Sequence, residues 1–520
     1  MVTVKEFKNA KDTDFSIEAN VQKIKEKIAE VEAQVGMKIP LIINGERLYR
    51  ENEISSLNPA QPSQVVGTVS KATKSDAENA LNVALSSFEE WSRFSAKERS
   101  NVLFQAAKII EEQRLDLAAL MILEAGKNYE EADAEVSEAI DFLNFYATVA
   151  LEMTNDDYKL VRLANEDNNL EYIPLGVGFI IPPWNFPFAI TTGLTVSALV
   201  MGNTALLKPS SLTPIIAYKF VEIMEKAGLP KGVLNYIPGD SSDIGDYLTE
   251  HPKTRFISFT GSKQVGLHIN ELAAKTAPGQ KWMKRVNAEM GGKDGIVVDE
   301  TVDLDYVAGE VVQAAFSFQG QKCSAGSRLI VVEEVYDQLV DKVTEATSKL
   351  SFGLGKDNHD IGPVIDEKAY KSIQEYIQIG KEEGTLVYGG EVSACEGYFI
   401  KPTIIKDVTR ESRIMQEEIF GPVLAIAKAK DWKDAIEIYN DTEYGLTGSF
   451  FSQLEDRIDF AKREMHCGNL YINRKCTGAL VGVHPFGGFN MSGTDSKAGS
   501  YDYLKLFSQG KLSTVRNTSN

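Results

Sequence analysis

The sequence predicts an α/β protein with two doubly wound parallel sheets and a small β arm. The chain has 520 residues. At roughly 100–200 residues per domain, that length holds two or three domains. From Gly176 onward, short apolar runs at 177–181, 204–207, 233–237 and 255–259 alternate with helix-like stretches such as 214–227. Alternation at this pitch implies parallel strands joined by crossover helices. A second block starts at Gly295-Ile-Val-Val and continues at Leu329-Ile-Val-Val, Leu424-Ala-Ile-Ala and Leu470-Tyr-Ile. The glycines of Met290-Gly291-Gly292 mark the boundary between the blocks.

The elements before Gly176 read differently. Residues 15–35 carry apolar positions at helical spacing among many Lys and Glu, as in a surface helix packed across another element. The run 39–43 reads as a strand entering a hairpin at Asn44-Gly45. Ser75-x-x-Glu78 and Ser95-x-x-Glu98 read as capping boxes. The first precedes Leu81, Ala84, Leu85 and Phe88; the second precedes Leu103, Ala106, Ala107 and Ile110. Residues 158–163, the polar turn 165–169 and Leu170-Glu-Tyr-Ile read as a hairpin. The stretch 501–514 reads either as an arm pairing with another subunit or as a strand completing this subunit's own sheet.

Composition removes several function classes. Apolar residues make up 43% and charged residues 25%, an ordinary globular balance. The 55 basic and 74 acidic residues leave a net charge of −19. That disfavours nucleic acid and anionic membrane as partners, since both select basic patches. No run approaches the ~18 apolar residues of a spanning helix. The N-terminus has no apolar signal core, so cytoplasmic residence is expected. The four cysteines, Cys323, Cys395, Cys467 and Cys476, are too few and too scattered for a disulfide framework. His466, Cys467 and Cys476 are the nearest approach to a metal cluster, but they lack paired short spacings, and no metal is expected.

Four local sequences carry chemistry. Pro183-Trp184-Asn185-Phe186-Pro187 follows a predicted strand, and ligands of open parallel sheets sit outside strand carboxyl ends. An Asn amide there can face an oxygen that becomes negative; otherwise the segment is a Pro-rich turn with a buried Trp. Thr260-Gly261-Ser262-x-x-x-Gly266 links a strand to a helix and can present free N–H groups to a pyrophosphate. Its spacing is not the usual dinucleotide fingerprint, so alone it is weak. Glu289-Met290-Gly291-Gly292 places a carboxylate beside glycines, where it can reach a reacting centre and activate water. An isolated Glu near a turn is more often only a surface residue. Cys323 stands in Gln-Gly-Gln-Lys-Cys-Ser-Ala-Gly. A lone cysteine is usually a small buried hydrophobe, but these polar and small neighbours differ from a core. Helix N-terminal amides nearby would lower its pKa.

In this order the four segments resemble the aldehyde dehydrogenase superfamily, over essentially the whole chain. Lys208-Pro209-Ser210 and Glu417-Glu418-Ile419-Phe420-Gly421-Pro422 fit the same resemblance. It implies an NAD-binding part at 1–153 and 173–289, a catalytic part at 290–490, and an oligomerisation arm at 154–172 and 491–520. It implies Cys323 as nucleophile, Asn185 and the Cys323 N–H as oxyanion donors, and Glu289 as the base for a thioester-hydrolysing water. Lys208 and Glu418 would bind the two riboses and Ser262 the pyrophosphate, with Gly261, Phe420, Pro183 and Trp184 around the cofactor. Many NAD-preferring members carry Glu where Ser211 stands, so NAD is expected with NADP tolerated. A homodimer or larger homo-oligomer is expected.

The finer resemblance is to the branch of the family that oxidises L-glutamate γ-semialdehyde. There, Ser324 would bind the substrate carboxylate, Gly478 and Ala479 would anchor the α-amino acid end through backbone N–H groups, and Phe186 and Phe486 would sandwich the aliphatic stem. Backbone amides and a hydroxyl suit a carboxylate, and aromatic faces suit methylenes. Succinic or aminoadipic semialdehyde is the nearest alternative. A CoA-acylating enzyme fits less well because Glu289 is there to activate water. A non-catalytic protein on the same fold is the remaining class, and the intact Asn185, Glu289 and Cys323 argue against it.

Overall fold

The structure is a computed structural model that describes residues 6–154, 160–161, 163–392 and 396–516. Two seven-stranded sheets organise it. The first runs in the order Arg285–Glu289, Phe256–Thr260, Val177–Ile181, Thr204–Leu207, Leu234–Tyr236, Leu41–Ile43, Glu46–Leu48. Its first five strands are parallel. Leu41–Ile43 joins antiparallel and turns at Asn44-Gly45 into Glu46–Leu48. Both turn residues have positive φ, 55° and 74°, as a two-residue hairpin requires.

The second sheet runs Thr385–Tyr388, Thr403–Lys406, Val423–Ala429, Arg328–Val332, Gly295–Val298, Thr447–Phe451, Asn469–Ile472. Only its first strand is antiparallel to its neighbour. Successive side chains feed opposite cores, as the pleat demands. Ile296 and Val298 join one cluster with Leu329 and Val331, while Val297 and Ile330 join the other. In the first sheet Ala205 and Leu207 face one core and Leu206 the other. Burial on both faces is why these strands read as continuous apolar runs.

The helix expected at 15–35 spans Glu18–Glu32, burying Ile24 and Ile28. Ser95 and Glu98 form the expected capping box on Ala96–Glu112. The other box lies two residues earlier than expected. Thr73 caps Lys74–Trp91, accepting from the Asp76 N–H while Asp76 accepts from the Thr73 N–H. Arg50 fixes Asp76 at 2.5 Å, and Glu78 accepts instead from the Tyr247 hydroxyl at 2.6 Å. The hairpin expected across 158–173 is also corrected. Residues 158, 159 and 162 of its first arm lie outside the described residues, and the expected turn and second arm form one strand, Glu166–Pro174, that pairs antiparallel with Ser508–Arg516. Nine paired residues there supply the ladder that a local turn was expected to supply. A three-stranded sheet of Met37–Ile39, Gln61–Ser70 and Glu53–Asn58 was not foreseen. Among the described residues no helix is long and apolar enough to cross a membrane.

Candidate active site

The strand Arg285–Glu289 ends the first sheet, and Gly295–Val298 begins the middle of the second. The chain between them crosses in five residues, so Glu289 and Cys323 are brought to the same cleft. Glu289 closes its strand opposite Thr260. Its backbone carbonyl accepts from the Gly261 N–H at 3.0 Å, which ties the two cofactor-side turns together. Its carboxyl is buried and accepts from Ser496 Oγ at 2.6 Å and the Gly488 N–H at 3.0 Å. Burial pushes it up to about 7, against the lowering effect of those hydrogen bonds.

The glycines after Glu289 are there for close approach. A β-carbon on Gly291 would overlap the Glu418 carboxylate, and one on Gly292 would overlap the Cys323 carbonyl oxygen. Glu418 Oε1 accepts from the Gly292 N–H at 3.0 Å. Burial raises the Glu418 carboxyl to about 7 as well.

Cys323 follows the helix Leu304–Phe316 and the tight turn Ser317–Gly320. Phe318, Gln319 and Gly320 all have positive φ, between 49° and 65°. Three consecutive left-handed residues are costly where two carry side chains. Several contacts hold them. The Phe318 N–H donates to Glu131 at 2.6 Å, Lys127 Nζ lies 3.6 Å from the Phe318 ring centre, and Gln321 Oε1 accepts from the Ile365 N–H at 2.9 Å. Asn185 is buried, and its side-chain amide donates to the Gln321 carbonyl at 3.0 Å.

The thiol's setting corrects one expectation. No helix start precedes Cys323; the helix before it enters the loop with its carbonyl end. Burial, followed by the carboxyls of Asp294, Glu418 and Glu289, pushes the thiol far up from its ordinary value.

The segment holding Asn185 is oriented by a buried ion pair that the sequence did not reveal. Lys127 and Glu135 meet at 3.2 Å with side chains about 1% and 0% exposed. Glu135 Oε1 accepts from the Phe188 and Ala189 N–H groups, capping the helix Ala189–Val200. Lys127 Nζ also sits 4.5 Å from the Phe186 ring centre. Neither residue has a motif; only the fold brings them together. Glu138 was missed for the same reason, and Lys322, beside the nucleophile, was given no role. Burial raises Glu138 to about 8 and lowers Lys322 to about 8.

The other candidates fall around these. Trp184 meets Phe420 edge-on at 5.5 Å, and Phe420 has φ 55°. Lys208 is buried at the end of its strand, which lowers it to about 8. Ser262 caps Lys263–Ala274, and Pro183 is half-buried. Ser211 is exposed in the turn before Pro214–Lys226. Taken singly they are group types that dinucleotide sites use: a cation, a helix N-terminus, an aromatic wall and a carboxylate for ribose hydroxyls. Phe186 packs edge-on against Phe318 at 6.3 Å. Among the described residues no ring contact joins Phe186 to Phe486. Ser324 is tied by its carbonyl to Cys476 Sγ at 3.4 Å, and Cys476 leads into Thr477-Gly478-Ala479. Cys395 lies outside the described residues. Among the described residues no group of three or more His, Cys, Asp or Glu could hold a metal.

The sequence profile of the aldehyde dehydrogenase family matches residues 48–512. The chain belongs to the aldehyde dehydrogenase family. It is 54% identical over 509 residues to the 1-pyrroline-5-carboxylate dehydrogenase of a Geobacillus species, covering 98% of this chain and 99% of that one. The counterpart from Anoxybacillus flavithermus is 53% identical with the same coverage. Among solved structures, a 1-pyrroline-5-carboxylate dehydrogenase from Thermus with bound NAD matches with a TM-score of 0.98 and 46% identity, covering 99% of this chain and 100% of that one. A betaine aldehyde dehydrogenase from Staphylococcus aureus, in complex with NAD, matches with a TM-score of 0.88 and 28% identity, covering 94% and 97%. The fold is therefore common across the family, and this aldehyde dehydrogenase shares far more sequence with one group of relatives.

Proposed function

We propose that this aldehyde dehydrogenase oxidises L-glutamate γ-semialdehyde, the open form of 1-pyrroline-5-carboxylate, to L-glutamate with NAD as acceptor, in proline degradation. The observation that carries the substrate is the tie between Ser324, beside the nucleophile, and Cys476, at the head of the Gly478-Ala479 loop. It ties the loop that we read as carboxylate-binding to the residue next to the thiol. The names of the full-length relatives support the same substrate.

Cys323 attacks the aldehyde carbon as its proton passes to solvent water, which leaves Glu289 ionised for the later step. The new oxyanion is held by the Asn185 amide and the Cys323 N–H, a contribution of a few kcal/mol per donor. A bound NAD would supply the acceptor for the hydride that leaves this carbon. Cys323 then carries a thioester. Glu289 takes a proton from water, whose oxygen adds to the thioester carbon, and the carboxylate departs with the thiol restored. Lys208 and Glu418 would hold the riboses and Ser262 the pyrophosphate, with Gly261, Pro183, Trp184 and Phe420 on the nicotinamide side. Ser211, without a carboxylate, leaves room for NADP at lower efficiency. Phe186 and Phe486 flank the aliphatic stem.

The first seven-stranded sheet serves the cofactor, the second carries Cys323, and the ribbon of Glu166–Pro174 and Ser508–Arg516 joins subunits into at least a dimer in the cytoplasm. Exposed Leu512 and Val515 on that ribbon support the last point. The deciding experiment is a steady-state assay with 1-pyrroline-5-carboxylate and succinic semialdehyde, each with NAD and NADP. The reading expects the highest kcat/KM for 1-pyrroline-5-carboxylate with NAD and none in Cys323→Ala. A higher value for succinic semialdehyde would overturn the substrate.

A further inference from the structure

The loop after the last strand of the second sheet is built in an unusual way. Asn473, at φ 54°, turns the chain out of the strand. Its side chain is bracketed by the Ser452 N–H and carbonyl at 3.0 and 2.9 Å. The Lys475 N–H then donates to Glu310 at 2.7 Å. Cys476 is fully buried and donates to the Ser324 carbonyl. These contacts fix where the loop starts.

What fixes its orientation is Arg474. Its Nη2 donates to the Thr477 carbonyl at 2.9 Å and the Gly478 carbonyl at 3.2 Å. The guanidinium lies over the Tyr471 ring at 4.5 Å, with Nη1 3.5 Å from His484 Nε2. Both carbonyls of the turn are thus drawn to one side. Gly478 has φ 79°, so the peptide plane that follows is turned into the left-handed form. Among the described residues nothing accepts from the Gly478 or Ala479 N–H. Consecutive unpaired amides of this kind make an anion-binding concavity. Arg474 also pairs with no carboxylate among the described residues, so its charge stays uncompensated beside those amides.

We propose that Arg474 is a specificity-determining positioning residue. By holding the Thr477 and Gly478 carbonyls it keeps the Gly478 and Ala479 amides free for the substrate's carboxylate, and its charge favours that anion. Arg474 touches the loop and not the substrate. Its contribution therefore falls on recognition of a carboxylate-bearing aldehyde and spares the chemistry at Cys323. The inference rests on the proposed reading of the substrate.

The test compares Arg474→Gln and Arg474→Lys with wild type on glutamate semialdehyde and on propanal, which has the reacting group and no carboxylate. Glutarate, a dicarboxylate that cannot react, is titrated as an inhibitor. For Arg474→Gln, KM for glutamate semialdehyde and Ki for glutarate should both rise about tenfold, the scale of one charge-assisted hydrogen-bonding group. The kcat for that substrate and kcat/KM for propanal should change less than about twofold. Arg474→Lys, which keeps the charge and one donor, should fall between, and it carries the same ratio if Arg474→Gln does not fold. Equal proportional losses on the two aldehydes, or an unchanged KM and Ki, would overturn the role of Arg474 and leave the substrate reading intact. A wild type that handles propanal as well as glutamate semialdehyde would instead overturn the substrate reading and the inference with it.

Discussion

The side-chain amide of Asn185 donates to the backbone carbonyl of Gln321 at 3.0 Å, two residues before Cys323. One residue thereby joins the loop that leaves the first sheet to the loop that carries the thiol. Removing it would delete the proposed oxyanion donor, and it leaves a buried carbonyl without its partner. Asn185→Ala should lower kcat by about 10²-fold or more, while NAD affinity, read by fluorescence titration, stays near wild type. An unchanged kcat would remove Asn185 from the oxyanion site.

In its proposed role as base Glu289 acts only when ionised, and burial raises its carboxyl to about 7. The ionised fraction therefore grows as pH rises through about 7, and thioester hydrolysis should follow it. Single-turnover traces from pH 5.5 to 8.5 should show a hydrolysis limb with its midpoint near 7. Glu289→Gln should lose that limb and give one burst of NADH followed by a stalled acyl-enzyme. A burst variant that keeps the same limb would place the base elsewhere.

Gly291 and Gly292 should respond differently to the same methyl group. In Gly291→Ala the new carbon meets the far end of the Glu418 side chain, which can swing away. That variant should fold with little loss in Tm and show a raised KM for NAD. In Gly292→Ala it meets the Cys323 carbonyl oxygen, which is backbone. That variant should lose kcat by orders of magnitude and several degrees of Tm. Identical behaviour of the two would mean that Glu418 has no hold on the cofactor.

Glu124 tests the scaffold and not the chemistry. It is fully buried and accepts from the Ile215 and Ile216 N–H groups and from Ser56 Oγ. Burial still raises it to about 7. An acid with a folded pKa above its unfolded one holds its proton more tightly when folded. Stability from this group is thus greatest below about 4.5 and is lost as pH rises through 7, by about 3 kcal/mol in all. Glu124→Gln cannot ionise, so its Tm should fall less than wild type between pH 5.5 and 8. A steeper fall in the variant would reverse the sign.

Much of the framework could be read from the chain itself. The buried parallel strands announce themselves as short apolar runs, and Asn44-Gly45 and Ser95-x-x-Glu98 are local chemistry whose partners lie within a few residues. What escaped depends on distance in sequence. Thr73 outcompeted Ser75 as a cap because Arg50 and Tyr247 drew Asp76 and Glu78 into different bonds. Glu166–Pro174 could not be assigned its partner because that partner is the last described strand. In the site, Cys323, Glu289 and Asn185 stand out by their neighbours. Lys127, Glu135 and Arg474 do not, because each acts on a backbone segment or ring that only folding brings beside it. The direction of the thiol's shift was legible from neither composition nor motif, since it arises first from burial and then from three carboxyls converging from separate strands and loops.

The ribbon between Glu166–Pro174 and Ser508–Arg516 has a consequence for synthesis. More than three hundred residues separate the two strands, so at roughly 5–20 residues per second the first waits roughly 15 seconds to a minute on the ribosome with its edge unfilled. An open edge in a nascent chain invites pairing with the wrong neighbour. The waiting strand is acidic and amide-rich along most of its length, Glu-Asp-Asn-Asn-Leu-Glu, and ends in a proline that cannot donate. Such a strand recruits poorly until its own partner emerges, so the arm's polarity protects the chain while it is being made.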